Sequence, residues 1–329
     1  MILLNDFYSV SAEMYLREEK EKKDIKYIGK VAGLCIIFYV IIQNVLSLFL
    51  VSGTLRTAYY SDTNFRTVVA IIFSVSSVLL PFCVGGYFIN KRTKTDVFNL
   101  SAPISNKLML TAVPFGFFVC LVGNYITSCF VDFVDKFGIH LTAPETETPS
   151  GFGGRFLYVL SIAVIPPLVE EFAIRGVVMQ PLRKYGDKFA ILASAIVFAV
   201  LHGNLVQAPF ALIAGIGIGY AVCITNSVWT GVIIHAMNNL YSVIIEFMIA
   251  DITDEAMLDR VYIIITVLLY AVSIAGSAFF FILKKNRKLM PSFTALREKR
   301  KMFAFIWSIP MIIALMMMYS ITKNFVELG

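Results

Sequence analysis

The sequence has little charge for its length. Of 329 residues, only 15% are Asp, Glu, Lys or Arg, 58% are apolar, and the mean hydropathy is +0.78. A soluble domain carries about 25% charged residues, and so few charges cannot cover the surface of a soluble chain of this size. That excludes a soluble enzyme and a disordered chain. Cysteine is sparse too. The five cysteines, Cys35, Cys83, Cys120, Cys129 and Cys223, all lie in apolar runs and form no Cys-x-x-Cys pair. They read as small packing residues, which removes a disulfide scaffold and a cysteine metal site. There are only three histidines, and neither an internal repeat nor a low-complexity segment is visible.

Long hydrophobic runs take the place of charge. A spanning helix needs about 20 apolar residues, and nine runs approach that length: roughly 31–53, 67–89, 108–131, 156–179, 189–203, 206–224, 228–249, 261–283 and 302–321. Runs four to six are short or interrupted, by Pro166-Pro167, by His202-Gly203-Asn204 and by Pro209. The expected fold is therefore an all-α, polytopic transmembrane helix bundle of about eight or nine spans with an intramembrane site. Residues 1–30 form a charged N-terminal segment and 31–154 scaffold spans. Residues 155–245 form a core, and 246–329 form C-terminal spans that include the basic segment 284–301. That segment reads either as a short amphipathic helix on the inner leaflet or as a solvated charge run. The first run has no small-residue cleavage site behind it, so a retained span is expected over a signal peptide.

Basic residues are distributed unevenly. With the N-terminus inside, 21 of the 28 Lys and Arg residues flank the cytoplasmic ends, six lie outside, and Arg175 lies within a span. This is a strong positive-inside pattern. The acidic residues Glu145, Glu147, Asp251, Asp254, Glu255 and Asp259 fall outside. Topology thus accounts for the net charge of +6, and a nucleic-acid partner is not expected. The lipid bilayer is the expected surrounding. Lys-, Ile- and Phe-rich usage fits a bacterial inner (plasma) membrane, with the N-terminus in the cytoplasm.

Ionisable residues inside spans are costly, about 2.5–3.5 kcal/mol each on an insertion scale, and tend to be functional. Spans one to three, eight and nine have none between their flanks. Apart from Glu246, near the end of the seventh run, the exceptions fall within 170–239: Glu170, Glu171 and Arg175, then His202, then His235 with Asn238 and Asn239. Glu171 and Arg175 are four apart and can pair on one helical face, first of all as a structural ion pair. Glu170 points about 100° away and is left for proton chemistry. Phe198 and His202 share a face, as do His235 and Asn239, which favours Asn239 over Asn238. At about 1.5 Å of rise per residue, Glu170, His202, His235 and Asn239 all come to lie about 12–20 Å from the cytoplasmic ends. A Glu–His pair can deprotonate a water, and a His–Asn pair can donate to an oxyanion. Glu170, His202 and His235 could instead hold Zn²⁺ with a water in the open position. His140, in the loop 132–155, reads as a surface residue. Gly215, Gly217 and Gly219 read as a helix-packing face.

Glu170-Glu171-x-x-x-Arg175, Phe198-x-x-x-His202 and His235-x-x-x-Asn239, in that order, resemble the motif series of the CPBP family of intramembrane proteases. That family comprises the CAAX-type prenyl endopeptidases and the bacterial Abi, or bacteriocin-processing, proteases. The resemblance covers residues of about 155–245. It implies that Glu170 and His202 activate the attacking water, that His235 and Asn239 stabilise the tetrahedral intermediate, and that Glu171 and Arg175 structure the site. Both metalloproteases and metal-free glutamate proteases are described in the family, so it leaves zinc open. His-Glu-x-x-His, Gly-x-Ser-x-Gly and intramembrane Asp are absent, which argues against site-2-type, rhomboid-like and presenilin-type proteases. The expectation is an endopeptidase cutting a peptide or membrane-protein substrate near the cytoplasmic half of the bilayer. By family analogy, precursors of bacteriocins or signalling peptides are candidate substrates. The rival expectations are a proton-coupled transporter and a catalytically idle chaperone or immunity protein.

Overall fold

The computed structural model describes residues 2–52, 55–98, 100–144, 147–285 and 287–329, with side chains from residue 12 onward except at 51 and 52. Glu145, one of the acidic loop residues singled out above, lies outside the described residues.

Long apolar runs become long helices because a helix satisfies its own backbone groups, which lipid cannot do. In chain order these are α1 (Ile2–Ser52), α2 (Leu55–Ser61), α3 (Thr63–Thr93), α4 (Asn106–Asp135), α5 (Phe152–Arg183), α6 (Asp187–Leu201), α7 (Ala208–Thr225), α8 (Val228–Asp251), α9 (Glu255–Lys284), α10 (Glu298–Ile306) and α11 (Ile309–Lys323). Two short strands, β1 (Ile139–Leu141) and β2 (Val326–Leu328), pair antiparallel and tie the C-terminus to the loop after α4. Among the described residues seven helices are long and apolar enough to cross a membrane. The number rises to eight if α10 and α11, bent by 73° at Trp307–Ser308, count as one span. The multi-pass all-α expectation is met. The run at 189–203 is the exception. Its helix α6 has 15 residues and a length of about 22 Å, short of the roughly 30 Å hydrocarbon core. With α7 it makes a hairpin whose tip, residues 202–207, ends inside the bundle.

Helix ends sort into two faces. Arg183 donates to Asn226 Oδ1 at 2.9 Å, and the Ile104 amide donates to Thr225 O at 3.1 Å. The ends of α5 and α7 and the starts of α4, α6 and α8 therefore share the face that carries most of the basic residues. On the opposite face Arg155 makes a two-pronged salt bridge with Asp251, and Arg66 pairs with Glu147 at 3.2 Å.

Of the two forms expected for the basic segment 284–301, residues 288–297 form no amphipathic helix, and Lys285, Arg287, Lys288, Arg297, Lys299 and Arg300 are exposed as in a solvated charge run. Residues 288–297 are irregular and strapped down. Met290 donates its amide to Asp187 at 2.8 Å, and Leu296 donates to Glu21 at 3.0 Å. Lys301 is fully buried, donating to Tyr185 O and Glu298 at 2.7 Å each and to Ser292. Specific carboxylate and carbonyl partners hold this segment, so it does not need an amphipathic face. The charged segment 1–30 leads into the first span as one helix, since α1 runs through residue 30 without a break.

The α7 glycines pack closely, but on two sides of the helix and not on the single face expected. A Cβ on Gly217 would lie 2.6 Å from Val119 of α4, and one on Gly215 would lie 3.0 Å from Ala195 of α6. α4, α6 and α7 thus meet at a closeness that only small residues permit.

Candidate active site

The Pro166-Pro167 pair sits in the middle of α5, where two amides are missing from the helical ladder. The helix continues because it widens to π geometry on both sides, over Leu160–Val164 and Phe172–Met179. Single π turns inside α-helices often accompany functional sites. Here the two π segments bracket Glu170 and Glu171.

Glu171 and Arg175 are both completely buried, with Oε2 and Nε 3.2 Å apart. The guanidinium N–H groups are not aligned on the carboxylate, and all three nitrogens lack a hydrogen-bond partner among the described residues. The pair is therefore held by charge and packing. The Arg175 guanidinium lies over the Phe198 ring, 5.1 Å from its centroid, a cation–π contact in a dry site. Sequence reasoning missed the other edge of Glu171: its Oε1 lies 3.2 Å from His235 Nδ1. A buried carboxylate thus fixes the ring of His235, whose Nε2 faces Glu170 Oε2 at 4.0 Å. The spacing of 64 residues gives no local signal for that bond.

His202 caps the C-terminus of α6. Its Nδ1 donates to Phe198 O at 2.8 Å, leaving Nε2 as the accepting nitrogen. The turn beyond it depends on Gly203, at φ +65°, and on the buried Asn204. The Asn204 side chain donates to His202 O and accepts from the Gln207 amide, at 3.0 and 2.9 Å. Phe198 joins the set together: its ring packs edge-on against His202 at 4.8 Å and His235 at 5.5 Å.

Asn239 donates to Ile162 O at 2.9 Å. Asn238, disfavoured above, is buried and lines the same cavity. It donates to Asn239 at 3.4 Å and accepts from Asn124 of α4 at 3.3 Å. Both amides line the cavity. His140 lies elsewhere, exposed and 2.6 Å from Asp135.

These groups line one cavity of about 770 Å³, with Glu170, His202, His235, Asn238 and Asn239 at its inner end. A smaller recess of about 200 Å³ shares Glu170, His202 and Gln207 with it and is also lined by Phe198. The main cavity continues along α4 and α8 to Asp132, Pro144 and Glu246, at the acidic face. The cavity therefore reaches the face opposite the one that carries most of the basic residues. The direction of access depends on how α4 and α8 pack, which counting rise along single helices cannot show.

Glu170 makes no hydrogen bond among the described residues and keeps a quarter of its side chain exposed, at 26%. Among the described residues no three His, Cys, Asp or Glu groups, Glu170, His202 and His235 included, converge closely enough to hold a metal ion.

A family model described as Rce1-like, type II CAAX prenyl endopeptidase, matches residues 152–241. No curated protein and no solved structure matches the chain. The matched stretch runs from the start of α5 into α8 and contains Glu170, Glu171, Arg175, Phe198, His202, His235 and Asn239, whereas α1 to α4 lie outside it. Over residues 152–241 this multi-pass membrane chain is thus similar to the Rce1-like endopeptidases, and the CPBP resemblance carried by its three motifs is borne out there.

Proposed function

We propose that the chain is an intramembrane endopeptidase that uses Glu170 as its base. The observation that carries this is the contrast between adjacent carboxylates. Glu171 is buried and committed to Arg175 and His235, whereas Glu170 makes no hydrogen bond among the described residues, faces His235 Nε2 at 4.0 Å, and stands at the inner end of a cavity.

Glu170 and the accepting Nε2 of His202 hold a water, and Glu170 takes its proton as the hydroxide oxygen bonds to the peptide carbonyl carbon. The carbonyl oxygen becomes an oxyanion. It is met by the second N–H of the Asn239 amide and by the Nε2 edge of His235 when that nitrogen carries a proton. Collapse breaks the C–N bond, and the proton on Glu170 passes to the leaving amine. Glu171 keeps His235 oriented throughout. Phe198 keeps His202, His235 and Arg175 in register. No step needs a metal. The substrate is a peptide or the tail of a membrane protein, and bacteriocin or signalling-peptide precursors are the candidates to try first.

The test is cleavage of a quenched-fluorescent peptide library by the purified protein in liposomes. Glu170→Ala and His202→Ala should each lower kcat/KM by about 10²–10⁴-fold, and a chelator should leave the wild type unaffected. Unchanged cleavage by either variant would overturn the assignment. Chelator-sensitive cleavage would restore a metal mechanism. Proton-coupled uptake lost in Glu170→Ala, with no cleavage by any form, would favour a transporter.

A further inference from the structure

The cavity is more than a hole over the catalytic groups. It is a trough between α4 and α8, and its walls are two polar stripes at helical spacing. Asn124, Thr127, Ser128 and Asp132 share one face of α4. Asn238, Asn239, Ser242 and Glu246 share the facing side of α8. The Asn124–Asn238 hydrogen bond closes the floor. From there to the mouth each stripe rises eight residues, about 12 Å, which is the length of about three to four residues of extended peptide.

Two features point to an occupant. Thr127 is 6% exposed and lines the trough, yet its hydroxyl has no hydrogen-bond partner among the described residues. A buried threonine on a helix usually bonds back to a carbonyl one turn earlier, and an unmet hydroxyl in an apolar setting is costly. The second feature is charge. Glu246, held by a 2.7 Å hydrogen bond from Tyr158, and Asp132 stand at the mouth, and no Lys or Arg lines the cavity. None of Asp132, Thr127 and Glu246 lies in the stretch matched to the family.

We propose that this trough binds the substrate as an extended segment, with the Thr127 hydroxyl bonded to its backbone. Asp132 and Glu246 then select a basic side chain about three to five residues from the scissile bond. The same walls disfavour a substrate that places a carboxylate there, a chain-terminal one included. This specificity rests on the endopeptidase assignment, and its test separates the two.

A peptide series with a single Lys, Gln or Glu scanned two to six residues to either side of the cut is measured for kcat and KM. In parallel, binding of the same peptides to the Glu170→Gln protein in nanodiscs is measured by fluorescence anisotropy. At one register Lys should lower KM by about tenfold relative to Glu. Asp132→Asn/Glu246→Gln should abolish that difference, whereas Asp259→Asn, on the same face but outside the cavity, should keep it. Thr127→Val should raise KM for all peptides alike. Cleavage without charge preference at any register would overturn the trough and leave the protease standing. Charge-selective binding without cleavage by the wild type would do the reverse. Binding that is neither charge-selective nor sensitive to Asp132→Asn/Glu246→Gln would overturn the trough whatever the cleavage result.

Discussion

Glu170 and Glu171 are chain neighbours with opposite surroundings, because successive helical side chains diverge by about 100°. One turns into the cavity and the other into the packed interior beside Arg175 and His235. Glu171→Gln should therefore act chiefly on stability. It leaves the Arg175 charge buried without its counter-ion, at a cost of about 3–5 kcal/mol, and loosens His235. Thermal melts in detergent should show the loss. Adding Arg175→Met should recover much of it, since removing both charges removes the penalty. Activity should stay low in the double variant because His235 remains without its orienting carboxylate. Recovery of both stability and activity would show that Glu171 serves only to neutralise Arg175.

At the scale of elements, the α6–α7 hairpin and the π-widened α5 decide where the reacting groups stand. The hairpin tip holds His202 on a short helix end, and the turn relies on Gly203 at φ +65°. A side chain there costs about 1–2 kcal/mol, and a Cβ would also come within 3.2 Å of the Met318 methyl of α11. Gly203→Ala should lower the melting temperature and reduce kcat more than KM, because His202 moves while the trough between α4 and α8 is untouched. Steady-state kinetics on one good peptide substrate distinguish this from a binding defect. Gly231 offers a parallel check in α8, where a Cβ would sit 2.6 Å from Glu171 Oε2. Gly231→Ala should push that carboxylate off His235.

For the whole molecule, the pressing matter is sidedness. The basic helix ends share one face and the cavity mouth lies at the other, and the positive-inside rule predicts that the mouth face is extracytoplasmic. In a cysteine-free background, Ser128→Cys and Asp132→Cys should react with a membrane-impermeant thiol reagent in intact cells. Lys288→Cys should react only after permeabilisation. The reversed pattern would place the cavity mouth, and hence the substrate, in the cytoplasm.

Much of this protein was legible in its sequence, for reasons of solvent. Hydrocarbon tolerates neither open backbone nor stray charge, so long apolar runs had to become helices. For the same reason the few intramembrane ionisable groups had to cluster, which exposed Glu170, Glu171, Arg175, His202 and His235 and the order of their motifs. The tertiary structure alone decided which groups touch and from where the site is reached. The Glu171–His235 bond, the part played by Asn238, and the trough of Thr127, Asp132 and Glu246 join helices far apart in the chain. Such contacts follow from side-chain packing between helices, and periodicity within one helix carries no record of its neighbour. The short α6 and the strapped segment 288–297 belong there too, since one ends where the bundle receives it and the other lies where Glu21 and Asp187 bind it.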